Sequence, residues 1–227
     1  MAMRGRRTTA FVAAGLAAVF AAAAWAAADL ALFEAGEDIE AAWLRHDFKG
    51  RTDYRADSFA GRPAIRSEGR NSASVLVRRV TVDWNKCPEI EWTWAVTKVQ
   101  PSADIRRKDQ DDVAASVAVL FGDPGPDWWP RPVPTLRYAW TSENMEAGAI
   151  IGNPYAPDIV KVLVVERGTA RAGQWQSQRR NVVEDYTRAF GRPPDKPVSA
   201  ISIFTDNDQT GEPALAYYGG ARAVCRR

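Results

Sequence analysis

Apolar and polar residues alternate with period two along most of the chain. From Glu89 to Thr97, Ile90, Trp92, Trp94 and Val96 fall on one side, and Glu91, Thr93 and Thr97 on the other. Val113, Ala115, Val117, Val119 and Phe121 repeat this spacing with no charge before Asp123. Val75, Val77, Val80 and Val82 do so less strictly between Ala73 and Trp84, and Leu136–Trp140, Ile159–Glu166, Val198–Thr205 and Ala214–Tyr218 read as further strands. Alternation rich in β-branched and aromatic residues is what half-buried strands require. Two tryptophans on one strand face need a second sheet to cover them. The polar stretch from Asp53 to Arg70, punctuated by Gly61, Pro63 and Gly69, predicts only a short strand around Ala64-Ile65. A helical period occurs once: Val182, Val183, Tyr186 and Phe190 share a face behind the N-cap Asn181, with Glu184 three residues on and Gly191 as the stop. The expectation is an all-β chain, a two-sheet β-sandwich of jelly-roll type with about ten strands and one short helix near 181–190.

The N-terminus changes the picture. Arg4-Gly5-Arg6-Arg7 precedes an uncharged, alanine-rich run from Phe11 to Ala28, and the first acid is Asp29. This is the layout of a secretory signal peptide cut after Ala26 or Ala28, with an uncleaved anchor as the alternative. The expected organisation is a signal segment at 1–28 and one domain at 29–227, periplasmic or secreted, with no stable membrane span after cleavage. Of 227 residues, 30 are basic and 28 acidic, a net charge of +2. Removing Arg4, Arg6 and Arg7 leaves a slightly acidic balance without a basic stripe, so nucleic acid is not an expected partner. Cys87 and Cys225 are the only cysteines. In an oxidising compartment they either form a bridge that pins the C-terminal strand or remain two thiols. The single histidine, His46, excludes a histidine-rich metal site and reads as a surface residue.

Candidate chemistry is sparse. Trp128 and Trp129 sit among prolines and, with Trp140 and Tyr155, could stack on the faces of sugar rings, while Asp111 and Asp112 take hydroxyls. The alternative for the tryptophan pair is burial against the sandwich. Arg180, beside Glu184 and Asp185, reads as part of a structural network, with an acidic sugar as its binding alternative. Asp206, Asp208 and Thr210 present oxygens at alternate positions before Gly211, as a calcium loop does, but Tyr217 stands where a bidentate glutamate belongs. Calcium at Asp206, Asp208 and Thr210 is therefore an expectation, against an acidic turn between strands, and no other cofactor is expected. No catalytic residue is assigned.

Trp92-x-Trp94, Asp111-Asp112, Asn153-Pro-Tyr155, Arg180-Asn181-x-x-Glu184-Asp185 and Asp206-x-Asp208-x-Thr210-Gly211 with Tyr217-Tyr218 resemble the bacterial family termed domain of unknown function 3047. The resemblance spans roughly Ala31 to Ala221 and implies an exported or periplasmic domain without an assigned activity. The pattern also looks like carbohydrate-binding jelly rolls in architecture. The resulting expectation is a monomer that binds a glycan or another envelope component. The alternatives are a polysaccharide hydrolase or lyase using two carboxyls from Asp111, Asp112, Asp206 and Glu212, or an envelope protein that binds another protein.

Overall fold

In the computed structural model, residues 29–125 and 132–226 are described. They form an all-β sandwich of two sheets, numbered here in chain order. The first sheet contains β1 (Leu30–Glu34), β3 (Asp53–Phe59), β4 (Arg62–Gly69), β6 (Glu89–Lys98), β11 (Gln176–Asn181) and β13 (Ala214–Val224). The second contains β2 (Leu44–Lys49), β5 (Ala73–Val82), β7 (Ala115–Phe121), β8 (Thr135–Thr141), β9 (Ile150–Gly152), β10 (Val160–Arg167) and β12 (Val198–Asp206).

In the six-stranded sheet the order is β11-β6-β13-β4-β3. β13 is long enough to pair with β4 through its first half and with β1 through its second. The seven-stranded sheet runs β2-β5-β12-β7-β8-β10-β9, and its pairing is antiparallel except for β8 beside β10. The expected last strand thus extends past Tyr218 to Val224, and β1, β2, β3 and β11 are strands that alternation alone does not reveal. β3 and β4 join through Ala60-Gly61, both at positive φ (49° and 75°), the backbone a tight hairpin needs. Ala60 is not a residue that announces such a turn. The outward face of that hairpin is a ladder of ions, Arg55 and Arg66 on Asp53 and Glu68 on Arg66, so its alternation lacks apolar contrast.

The core lies between the sheets. From β6, Trp92 meets Tyr138 at 5.0 Å and Trp94 meets Trp140 at 5.9 Å between ring centroids, which ties β6 to β8. All four rings are buried. Aromatic side chains of this size dominate the energy of a core, each burying on the order of 150–250 Å². The helix α2 (Val182–Phe190) closes one side, its buried Tyr186 ring 4.5 Å from Phe121. The Asn181 carboxamide accepts from the Val183 and Glu184 amides, and Gly191 ends the helix at φ 74°. A second helix, α1 (Ile39–Ala42), is a single turn capped by Asp38. The two cysteines form a disulfide between the loop before β6 and the end of β13, 138 residues apart. Among the described residues no helix is long and apolar enough to cross a membrane.

The seven-stranded sheet is apolar on its outer face as well. Val75, Val77, Val162, Val164, Ala200 and Phe204 form a second cluster there, partly covered by Ile105, Val113 and Met145. Strands buried on both faces read as near-continuous apolar runs, which is why Val113–Phe121 carries no charge. Among the described residues the cover is incomplete, and the uncovered part is a cleft.

Candidate cleft on the outer face of the seven-stranded sheet

The cleft has a volume of about 780 Å³. Its floor is built by out-facing residues of the central strands: Leu120 of β7, Thr135 and Arg137 of β8, and Phe204 and Asp206 of β12. Phe48 and Lys49 of β2 line one flank, and Asn153 and Tyr155 another. Phe48 and Tyr155 are half exposed or more, at 50% and 58%. The Tyr155 ring is held upright by its hydroxyl, which donates to the Lys108 carbonyl at 2.8 Å, and by the Lys108 ammonium 5.3 Å from the ring.

Arg137 is the unusual residue. Leu136, Tyr138 and Trp140 point into the core, so Arg137 and Ala139 point out. The guanidinium lies over the Phe204 ring, 4.8 Å from its centroid, and among the described residues it has no hydrogen-bonding or ion-pair partner, its Nε included. Burial pulls its pKa down, while the fields of Asp206 and Asp111 favour the charge. An arginine stacked on a ring with its donors unspent is prepared for an acceptor that the described residues do not supply.

Carboxylates collect beside it. Burial pushes the Asp111 carboxyl up to about 6; Arg137 opposes this, and Asp112 and Asp208 add to it. Its Oδ1 is buried and receives no hydrogen bond. Burial and then Asp112 hold the Asp206 carboxyl well above its ordinary range, and the same two causes raise Asp208. Asp112 is fully buried and accepts from the Gln209 amide (3.2 Å), the Thr210 amide (2.7 Å) and the Thr210 hydroxyl (2.5 Å).

Several expectations are corrected by this geometry. Trp140 is no sugar platform: it is fully buried, and its indole N–H donates to the Gly168 carbonyl at 3.0 Å. Arg180 lies on β11 of the other sheet and is spent on Asp185, which also receives the Tyr138 hydroxyl at 3.2 Å. The Thr210 hydroxyl donates to Asp112 and accepts the Glu212 amide at 3.2 Å. Asp112 lies beside Asp206 and Asp208, all three offering oxygens within 4.8 Å of one another. Tyr217 takes no part, its ring stacked 4.5 Å from Phe59. Trp128 and Trp129 lie outside the described residues. Tyr155 and Asp111 do line the cleft. Arg137, Phe204, Phe48 and Gln209 were not singled out by the sequence. The available signal was Arg137 itself, a lone cation at an out-facing position in a strand of otherwise uncharged residues.

The model of the family described as protein of unknown function (DUF3047) matches residues 41–222. The chain belongs to that family. Within this DUF3047 chain the match takes in every described residue of the cleft. No curated protein matches the sequence significantly. Among solved structures, the chain is similar to a family 11 carbohydrate-binding module of a cellulosomal cellulase of Clostridium thermocellum. The identity is 8% and the TM-score 0.47, over 87% of this chain and 95% of that one. A family 30 carbohydrate-binding module from the same organism gives 8% and 0.47, over 86% and 97%. The family 11 xylanase of Neocallimastix patriciarum gives 9% and 0.32, over 79% and 92%.

Proposed function

We propose that the chain is an exported protein that binds a glycan, or another hydroxyl-rich component of the cell envelope, in the cleft over Arg137. The observation that carries this reading is the Arg137 guanidinium, stacked on Phe204 and without a hydrogen-bonding or ion-pair partner among the described residues, in a cleft whose walls are largely apolar. Pyranose rings have apolar faces and hydroxylated edges. Tyr155 offers ring surface for the former, and Arg137 offers donors for the latter. Acidic neighbours accept hydroxyl protons, and their charge balances the guanidinium, so a ligand without strong net charge suits the cleft. Export is supported by the Cys87–Cys225 disulfide and by the leader-like composition of residues 1–28, which lie outside the described residues.

The test is calorimetry and affinity electrophoresis against a panel of neutral and acidic polysaccharides. Arg137→Met keeps an unbranched side chain and removes the donors. It should weaken the binding of any glycan found by tenfold or more, about 1.4 kcal/mol, and Tyr155→Ala should do likewise. Silence across the panel, or binding indifferent to both substitutions, would overturn the reading.

A further inference from the structure

Three carboxylates meet where β12 runs into the loop before β13. Oxygens of Asp112, Asp206 and Asp208 lie within 4.8 Å of one another. The frame around them is fixed by the chain itself. Asp112 gathers the amides of Gln209 and Thr210, and Asp206 Oδ1 accepts the Val113 amide at 2.7 Å. Asn207 accepts the Ser72 amide at 3.1 Å and donates to the Glu212 carbonyl at 3.0 Å. Its Oδ1 would lie 2.6 Å from a Cβ at Gly69, so only glycine leaves room for it there. Three acids held this close repel, and buried carboxylates need a counter-charge or a proton. Lys49 reaches only Asp208, at 3.7 Å, and Arg137 makes no ion pair with any of them.

A second observation does not depend on the clustering. The Asp208 side chain is 8% exposed, and its Oδ1 is sealed from solvent and receives no hydrogen bond. The other oxygen of the same carboxylate is spent on the Gln209 carboxamide at 2.9 Å. An acceptor that neither water nor a donor reaches costs about 1–3 kcal/mol, more when charged. A hard cation, which binds oxygen at about 2.3–2.6 Å, fits closer than a water molecule hydrogen-bonded at about 2.8 Å. Asp111 Oδ1 and Gln209 Oε1 are further buried acceptors without donors, on residues that line the same cleft. The donors are all oxygen, with no sulfur or imidazole, which selects against zinc and copper. An uneven set of carboxylate and amide oxygens suits the loose 6–8-fold sphere of calcium better than the strict octahedron of magnesium.

We infer that Asp112, Asp206 and Asp208 hold a calcium ion on the wall of the cleft. The ion offsets the mutual repulsion of the three acids and locks the Asp206–Glu212 loop against the start of β7. This inference stands apart from the glycan reading.

The experiment uses the mature chain stripped with EGTA, followed by calcium titration in a calorimeter and by thermal unfolding. One site per chain is expected. A Tm rise of about 5–10 °C follows once calcium exceeds its Kd about a hundredfold, with a smaller rise for magnesium. Asp208→Asn keeps the shape of the side chain and removes its charge. It should weaken calcium at least tenfold while the circular dichroism spectrum is unchanged. Should that variant fail to fold, displacement of terbium from the wild-type chain gives the same reading: calcium competes at far lower concentration than magnesium. No heat and no Tm shift up to 10 mM calcium overturns the inference. Unchanged calcium affinity in folded Asp208→Asn overturns it too. A silent glycan panel would leave the calcium result as it stands.

Discussion

Removing the disulfide isolates how much of the stability comes from restraint of the unfolded chain. Cys87 and Cys225 close a loop of 138 residues. The loop-entropy relation for that length gives about 5 kcal/mol at 25 °C. The folded state has little to lose, because β6 and β13 stay registered from Lys98 with Leu215 to Glu89 with Val224, and the Arg226 amide still donates to the Lys86 carbonyl at 2.8 Å. The Cys87→Ala, Cys225→Ala double variant should therefore keep the native spectrum and lose about 3–5 kcal/mol, the upper part of the range measured for native bridges. At about 2–4 °C per kcal/mol for a chain of this size, Tm falls by roughly 6–20 °C. Urea unfolding is the sharper assay, because an unbridged denatured chain expands and its m-value should rise. Reductant should shift the wild type and leave the double variant unchanged. A loss below about 1 kcal/mol with an unchanged m-value would refute the reasoning, since the strand ladder would then already supply all that the bridge does.

Two further substitutions probe the packing that carries the cleft. Trp140→Phe deletes an indole N–H that meets the Gly168 carbonyl and leaves a gap in the core. It should cost about 1–3 kcal/mol in urea unfolding while leaving ligand affinity unchanged; a loss of affinity without a loss of stability would place the ring at the ligand after all. Asp185→Ala strips Arg180 of its paired carboxylate and leaves the buried Tyr138 hydroxyl without its acceptor. Asp185 is buried but Arg180 only partly, so the loss should be about 1–3 kcal/mol, read as a lower urea midpoint, and no measurable cost would show the network to be dispensable.

Alternation told which side of the apolar strands faces the core. The alternation of Ile90, Trp92, Trp94 and Val96 required a covering sheet, and the structure supplies it in Tyr138 and Trp140 of β8. The cap at Asn181 and the stop at Gly191 are local chemistry and were readable for the same reason. Of the polar hairpin only the Ala64-Ile65 part of β4 was readable, because its outward face is built from ion pairs and its turn from Ala60-Gly61. The neighbours of each strand were decided only by tertiary pairing. Period two says that Arg137 points outward, but not that β12 will bring Phe204 beneath it. Alternate acids near Gly211 suggested a loop that binds an ion from its own residues. The carboxylate that joins Asp206 and Asp208 is Asp112, whose oxygen meets the Gln209 amide 97 residues along the chain. Side-chain direction is a property of one strand and is written in its residues. Which strands lie side by side depends on the free energy of the whole sandwich, and with it the cleft and its acids.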